Sequence, residues 1–326
     1  MHPQPKRSFQ MNLEPKNQIN QYDGLAEIHS NGDFTPITIL PATEAGDAPE
    51  RVIWAEIGRG PYHAPFFGED LVHRLGEARW FVSSADALPG FAFRSPGVPL
   101  RGAILHMSRC GSTLARNLLG AVDRSLVMSE ATLVNSALTQ FTTRSLQPVL
   151  SGFLRPDGDR LQRGYLKCTS WNVLVADRLL DAFPGLPMVF IHRNPLEVLV
   201  SLSRTPGWGE GFPAGPSTLE LETVESPIER AAIRLRDFIA AAHRLEQRGV
   251  CRIVEYPDII SRFIEGDLPE YFGYEVDDAT RIRMRQVTEF KSKSLRDRFR
   301  SDSAEKLRRA DEIPDLKQAY EKHLRI

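Results

Sequence analysis

From residue 101 onward, short apolar runs alternate with stretches of helical periodicity, and this alternation constrains the fold more than any other feature. Ala103-Ile104-Leu105-His106-Met107 is a near-continuous apolar run that fits a strand buried on both faces. Leu114, Leu118, Leu119 and Val122 then recur at helical spacing. Further strands are expected at Ser125–Met128, Tyr165–Cys168, Met188–Ile191 and Val250–Val254. Between them, Asn172 to Phe183 reads as a helix stopped by Pro184-Gly185. Ile228, Ala231, Leu235, Phe238, Ala242 and Leu245 mark one face of a long helix. Strand-helix alternation of this kind predicts an α/β fold, a central parallel sheet flanked by helices.

The first hundred residues have a different texture. Residues 1–30 are polar and read as a loose tail. Thr35–Leu40 and Arg51–Trp54 suit strands, Asp70–Ala78 a short helix, and Phe91-Ala92-Phe93 a segment punctuated by Pro and Gly. The expected division is an N-terminal tail and accessory segment over 1–100 and a main α/β domain over 101–326.

Charge and cysteines narrow the function classes. The formal net charge is −1, so no global field would draw the chain to nucleic acid or to an anionic membrane. No apolar run approaches the ~20 residues that span a bilayer, and the N-terminus lacks the apolar stretch of a secretory signal. Three widely spaced cysteines, Cys110, Cys168 and Cys251, suit a reducing cytoplasm better than a disulfide framework. No His and Cys set has metal-ligand spacing, so no metal is expected. Oligomeric state is left open.

Two strand-to-helix junctions carry the chemistry. The first is His106-Met107-Ser108-Arg109-Cys110-Gly111-Ser112-Thr113-Leu114. Gly111 permits a tight turn and a close backbone approach. The following helix start offers unpaired N–H groups and partial positive charge to an anion. Ser112 and Thr113 add hydroxyls, and Arg109 adds a planar fork of donors. The Gly-Lys-Ser/Thr of nucleoside triphosphate loops is absent. The second junction is Ile191-His192-Arg193-Asn194-Pro195, followed by Val198 and Ser201. Pro195 suits a first helical turn, and an Arg and a Ser converging near a helix start suit a phosphate.

Taken together, the two segments resemble the signature of sulfotransferases that use 3′-phosphoadenosine 5′-phosphosulfate. The resemblance covers roughly residues 101–300 and implies a P-loop-like α/β fold. It implies that Arg109, Cys110, Gly111, Ser112 and Thr113 receive the 5′-phosphosulfate, and that Arg193 and Ser201 hold the 3′-phosphate. Members that modify tyrosine and carbohydrate use a Glu as base in the region of Glu130, which lies 21 residues after Arg109. Lys167 resembles the Lys of a further family segment near the donor, where it would assist the leaving group. Small-molecule members of the cytosol have a catalytic His two residues after that Lys; here Thr169 stands there, which favours Glu130 as the base. The implied acceptor is a hydroxyl of a small molecule or carbohydrate. His106 and His192 are expected to be packed rather than catalytic.

Between Arg281 and Arg309 lie eleven Lys or Arg and four Asp or Glu. Within that stretch, Phe290–Ser294 resembles the segment that closes over the donor's 3′-phosphate, with Lys293 as the implied contact. Val254–Asp258 resembles the family's fifth-strand ending and is expected to be structural. The loop Thr205–Thr218, with four glycines and three prolines, is the expected lid or acceptor segment. Two other readings stay open. Cys110 and Arg116, six apart, form the skeleton of a cysteine-dependent phosphatase, although Thr113 replaces its glycine and Asn117 follows the arginine. A nucleotide-binding protein without turnover would carry the same two junctions.

Overall fold

A computed structural model describes residues 13–30, 33–40, 42, 50–60, 62, 64, 66–140, 143–155, 161–205, 207–290, 302–313 and 315–325. Among the described residues, eight strands fall into two sheets. Strands β1 (Phe34–Leu40), β2 (Arg51–Glu56) and β3 (Trp80–Ser84) form an antiparallel sheet in that order. Strands β4 (Leu100–His106), β5 (Ser125–Ser129), β6 (Arg163–Lys167), β7 (Met188–His192) and β8 (Cys251–Glu255) form a parallel sheet ordered β5-β6-β4-β7-β8. All five strands expected beyond residue 100 are present.

The parallel strands are apolar because both their faces are covered. Ala103, Ile104 and Leu105 are wholly buried, as are Val189, Phe190 and Ile191. The Ser112–Ala121 helix packs on β4 and β5 together with Ile259–Ile264 and Asp278–Thr288. The Pro195–Leu202, Pro227–Gln247 and Leu316–His323 helices form a second packed set beside β8. After β4 the chain builds the β5 and β6 side of the sheet, then crosses to β7 on the other side. This reversal opens a crevice beyond the carboxyl ends of the strands, where ligands bind in open α/β sheets. Registers place Ser129 level with Lys167, and Lys167 level with Ile104, so Glu130, Lys167 and His106 gather at that edge.

The N-terminal region departs from expectation. Gln21–Ser30 is a helix rather than part of a loose tail. Ile28 is buried, Ile19 N–H donates to Trp80 O at 2.9 Å, and Trp80 Nε1 donates to Glu14 O at 2.9 Å. Arg79 pairs with Glu27 at 2.5 Å and Glu56 at 2.7 Å. Few apolar residues mark this helix, so its anchoring by polar contacts left little periodicity to read. Strand β3 was likewise not anticipated. Ala87–Arg94 is a helix with Phe91 fully buried; Pro89 and Gly90 lie in its first turn, where a missing N–H is tolerated. Pro36 falls at a register shift on edge strand β1, consistent with its missing donor. The segment expected as one helix from Asn172 splits into a 3-10 turn, Ser170–Val175, and the helix Asp177–Ala182.

The two sheets share one apolar core. Phe67 meets Phe153 edge to face at 4.8 Å between ring centroids. Arg155, 1% exposed, donates to Phe34 O at 2.6 Å and Thr35 Oγ1 at 2.7 Å, stapling the chain after the Thr143–Phe153 helix to β1.

Candidate active site

Five residues separate the end of β4 from the helix that begins at Ser112. Ser108, Arg109 and Gly111 have φ values of 72°, 50° and 92°. Left-handed backbone of this kind belongs to tight turns whose N–H groups suit an anion, and here the Ser108 N–H is already given to His106 Nδ1. Gly111 has a second reason to be glycine. A Cβ there would lie 2.6 Å from Tyr256 Cδ2, a contact the site cannot absorb without moving the ring. Ser112 and Thr113 are buried at the helix start, and Arg109 reaches across to donate to Thr205 Oγ1 at 3.0 Å.

The same loop dismantles the phosphatase alternative. The Cys110 side chain is fully buried, and burial pushes its thiol up to about 11, so at neutral pH it is no nucleophile. Arg116 turns away and donates to Tyr62 O at 2.7 Å and Asn117 Oδ1 at 3.3 Å.

Beside the loop stand three charged or polar side chains from three adjacent strand ends. Lys167, 1% exposed, forms a close ion pair with Glu130 Oε1. Glu130 has φ 48° and is held there by its own N–H, which donates to Lys167 O at 2.8 Å. Burial alone would raise the Glu130 carboxyl; the Lys167 charge and the His106 bond outweigh it and hold the group at about 2. His106 Nδ1 accepts from Ser108 N–H at 3.0 Å. Its Nε2 therefore carries the proton, donates to Cys168 O at 2.9 Å and lies 3.5 Å from Glu130 Oε1. Burial lowers the His106 pKa, keeping the ring neutral. His106 is packed, as its sequence context implied, yet it also touches the carboxylate. His192 instead pairs with Glu255 at 2.8 Å.

A second cationic seat forms across the cavity. Asn194 caps the Pro195–Leu202 helix through Leu196 N–H at 3.0 Å, with Pro195 in the first turn as expected. Arg193, 6% exposed, is held by Glu197 at 2.5 Å and lies over the Tyr256 ring, 4.2 Å from its centroid. Its Nη2 also reaches Asp302 at 2.8 Å and Ser303 Oγ at 3.1 Å. Ser201 Oγ, one turn beyond Glu197, donates to Glu197 O at 3.2 Å.

All of this opens into one cavity of about 940 Å³. Arg109, Cys110, Gly111, Ser112, Thr113, Glu130, Lys167, Arg193 and Ser201 all line it. Lys293 lies outside the described residues. Thr205 and the turns from Gly207 to Phe212 form one wall, with Trp208 and Phe212 packed edge to face on each other. Sequence reasoning missed Ser170 and Arg204 in the lining, and four further residues with larger roles. Phe66 arrives from the N-terminal region, with the Lys167 ammonium 5.2 Å from its ring centroid. Tyr256, expected to be purely structural, carries Arg193 and borders Gly111. Asp302 and Lys306 come from the basic stretch near the C-terminus; their one visible signal was a spacing of four residues across a helix start.

No protein-family model and no curated protein matches the chain. Among solved structures it is similar to sulfotransferase STF9 from Mycobacterium avium, at 12% identity over 77% of this chain and 81% of that one, with TM-score 0.43. The sulfotransferase domain of the Synechococcus PCC 7002 olefin synthase matches at 14% identity over 71% and 96% of the two chains, TM-score 0.41. Mouse sulfotransferase SULT7A1, complexed with PAP, matches at 10% identity over 69% and 84%, TM-score 0.40. At such identities the chemistry has to be read from the residues of the site itself.

Proposed function

We propose that this protein transfers the sulfuryl group of 3′-phosphoadenosine 5′-phosphosulfate to an acceptor hydroxyl. One observation carries the reading: a left-handed turn at a helix start and a buried arginine face a single cavity, with an ionised carboxylate and a buried lysine beside the turn. The cavity volume falls within the ~300–1,000 Å³ range of small-molecule sites. The donor set suits two separated anions on one ligand, with Arg109 and the loop N–H groups at one end and Arg193 and Ser201 at the other.

When bound, the donor supplies a sulfuryl group on a phosphate leaving group. Arg109, the N–H groups around Gly111 and the Ser112 and Thr113 hydroxyls neutralise charge that develops on that phosphate. Lys167 and Glu130 act as a linked pair. While Lys167 faces Glu130, the carboxylate is too acidic to take a proton well. A Lys167 ammonium that turns toward the departing phosphate removes this restraint, and burial then raises the proton affinity of Glu130. Glu130 takes the acceptor's hydroxyl proton as the hydroxyl oxygen bonds to sulfur and the sulfur–oxygen bond to the 5′-phosphate breaks, its electron pair leaving on the phosphate. His106, neutral and tethered to Ser108, keeps the carboxylate in register with the anion loop.

Phe66, Trp208 and Phe212 offer apolar faces to the acceptor, which suits a small molecule or a sugar ring. Three buried free cysteines fit a reducing cytoplasm. Arg193 is the discriminating test. Adenosine 3′,5′-bisphosphate at 100 times its Kd should stabilise the wild type by about 2.7 kcal/mol, read as a rise in Tm. Arg193→Ala should abolish that rise. Sulfate transfer from the donor to a panel of hydroxyl acceptors then separates an enzyme from a binding protein. A wild type that fails to respond to the bisphosphate would sink the proposal.

A further inference from the structure

Four charged side chains meet where Arg193 enters the cavity: Arg193 and Lys306 against Glu197 and Asp302. The two carboxylates are held differently. Glu197 is 10% exposed, lies on the helix that Arg193 precedes and contacts both Nε and Nη2. With the Tyr256 ring beneath it, Arg193 is fixed from two sides without help from Asp302. Asp302 is 50% exposed and lines the cavity. It stands at the N-cap position of the Ser303–Ala310 helix, yet its side chain caps no helical N–H. Instead one carboxylate oxygen accepts from Arg193 at 2.8 Å and the other pairs with Lys306 at 3.0 Å. Burial raises the Asp302 carboxyl, but these two cations more than offset it and keep it below its usual range.

A carboxylate bridging two cations in a cavity has the chemistry of a phosphate oxygen pair. We infer that Asp302 is a resident anion in the Arg193 seat, an internal competitor that the ligand's 3′-phosphate must displace on entry and that recaptures the seat on release. The inference rests on the donor reading above. Its physical basis is that Lys306 is only 12% exposed, so its ammonium needs an anion whether or not ligand is bound. Asp302 supplies that anion in the empty site. A phosphate dianion supplies it in the filled one, and the freed carboxylate turns to solvent on its exposed side. Because Asp302 is tethered to its seat, its effective concentration there is high, and it weakens every ligand that needs the seat. A nucleotide lacking the 3′-phosphate leaves Asp302 in place and escapes that penalty. Asp302 is thus a specificity-determining residue that sets how strongly the 3′-phosphate is retained after turnover.

The experiment is calorimetric titration of wild type, Asp302→Asn and Asp302→Ala with adenosine 3′,5′-bisphosphate and, separately, with adenosine 5′-monophosphate. Both variants should bind the bisphosphate about tenfold more tightly, the scale of one charge-assisted contact no longer exchanged. The monophosphate should bind all three proteins within about twofold, since it never enters the seat. Unchanged or weaker bisphosphate binding in both variants would overturn the inference and leave the donor reading standing. Equal tightening for the monophosphate would overturn it too, because the effect would then lie outside the seat. Bisphosphate binding to none of the three proteins would remove the donor reading and this inference together.

Discussion

Glu130 carries the clearest single-residue consequences. Its carboxyl sits at about 2 in the folded chain against 4.5 as an isolated group. A depressed folded pKa means that its stabilisation is complete above about pH 4.5 and is lost as pH falls toward 2. Glu130→Gln should therefore flatten the acid limb of a Tm-against-pH profile. At pH 7 it should also melt lower, because Lys167 becomes a buried charge without its counter-ion, a loss of about 3–5 kcal/mol. Sulfate transfer by the same variant should fall by about 10²–10⁴-fold if Glu130 accepts the proton. Equal melting of variant and wild type at pH 7 would contradict the pairing. Cys110→Ser separates the sulfur from the loop. With the thiol neutral and buried, transfer activity should persist within a few-fold, at a stability cost of about 1–3 kcal/mol for burying a hydroxyl. Loss of transfer with the fold intact would return the thiol to the chemistry.

Among the elements, the strand-to-helix junctions do the positioning. The junction at Gly111 combines a φ of 92° with contact against Tyr256, the ring that underlies Arg193. Gly111→Ala should cost about 1–3 kcal/mol in backbone strain. Because the new methyl pushes on Tyr256, it should also weaken bisphosphate binding at both ends of the site. Bisphosphate affinity equal to wild type would show that loop and seat are mechanically independent. Legibility in the sequence followed burial at this scale. β4 and β7 are covered on both faces over most of their length and read as near-continuous apolar runs. The Gln21–Ser30 helix, tied down by Glu27 and Arg79, and β3, half-buried along alternate residues, left weaker patterns.

For the molecule as a whole, the N-terminal sheet and the parallel sheet are stitched at several depths. Phe67 packs on Phe153, Arg155 reaches β1, Arg116 reaches Tyr62, and Phe66 lines the cavity. A fragment of residues 101–326 would expose Phe153 and leave the Arg155 guanidinium without its β1 partners. It should lose cooperative thermal unfolding and aggregate, as followed by circular dichroism and light scattering. A soluble fragment with a sharp transition would show that the main sheet folds alone. Among the described residues no helix is long and apolar enough to cross a membrane.

Local pattern alone determined the parallel sheet and the two strand-to-helix junctions, while the resemblance carried by those junctions pointed to Glu130 and Lys167. Each of those depends on residues close in the chain or on strand ends that a parallel sheet must bring together. Only the tertiary structure decided that Cys110 points inward, that Tyr256 carries Arg193, and that Asp302 sits in the seat. Such facts depend on contacts between residues as much as 109 positions apart, Arg193 and Asp302 among them. Periodicity carries no record of which distant side chain arrives, because burial constrains polarity and volume while the identity of the partner is set by packing.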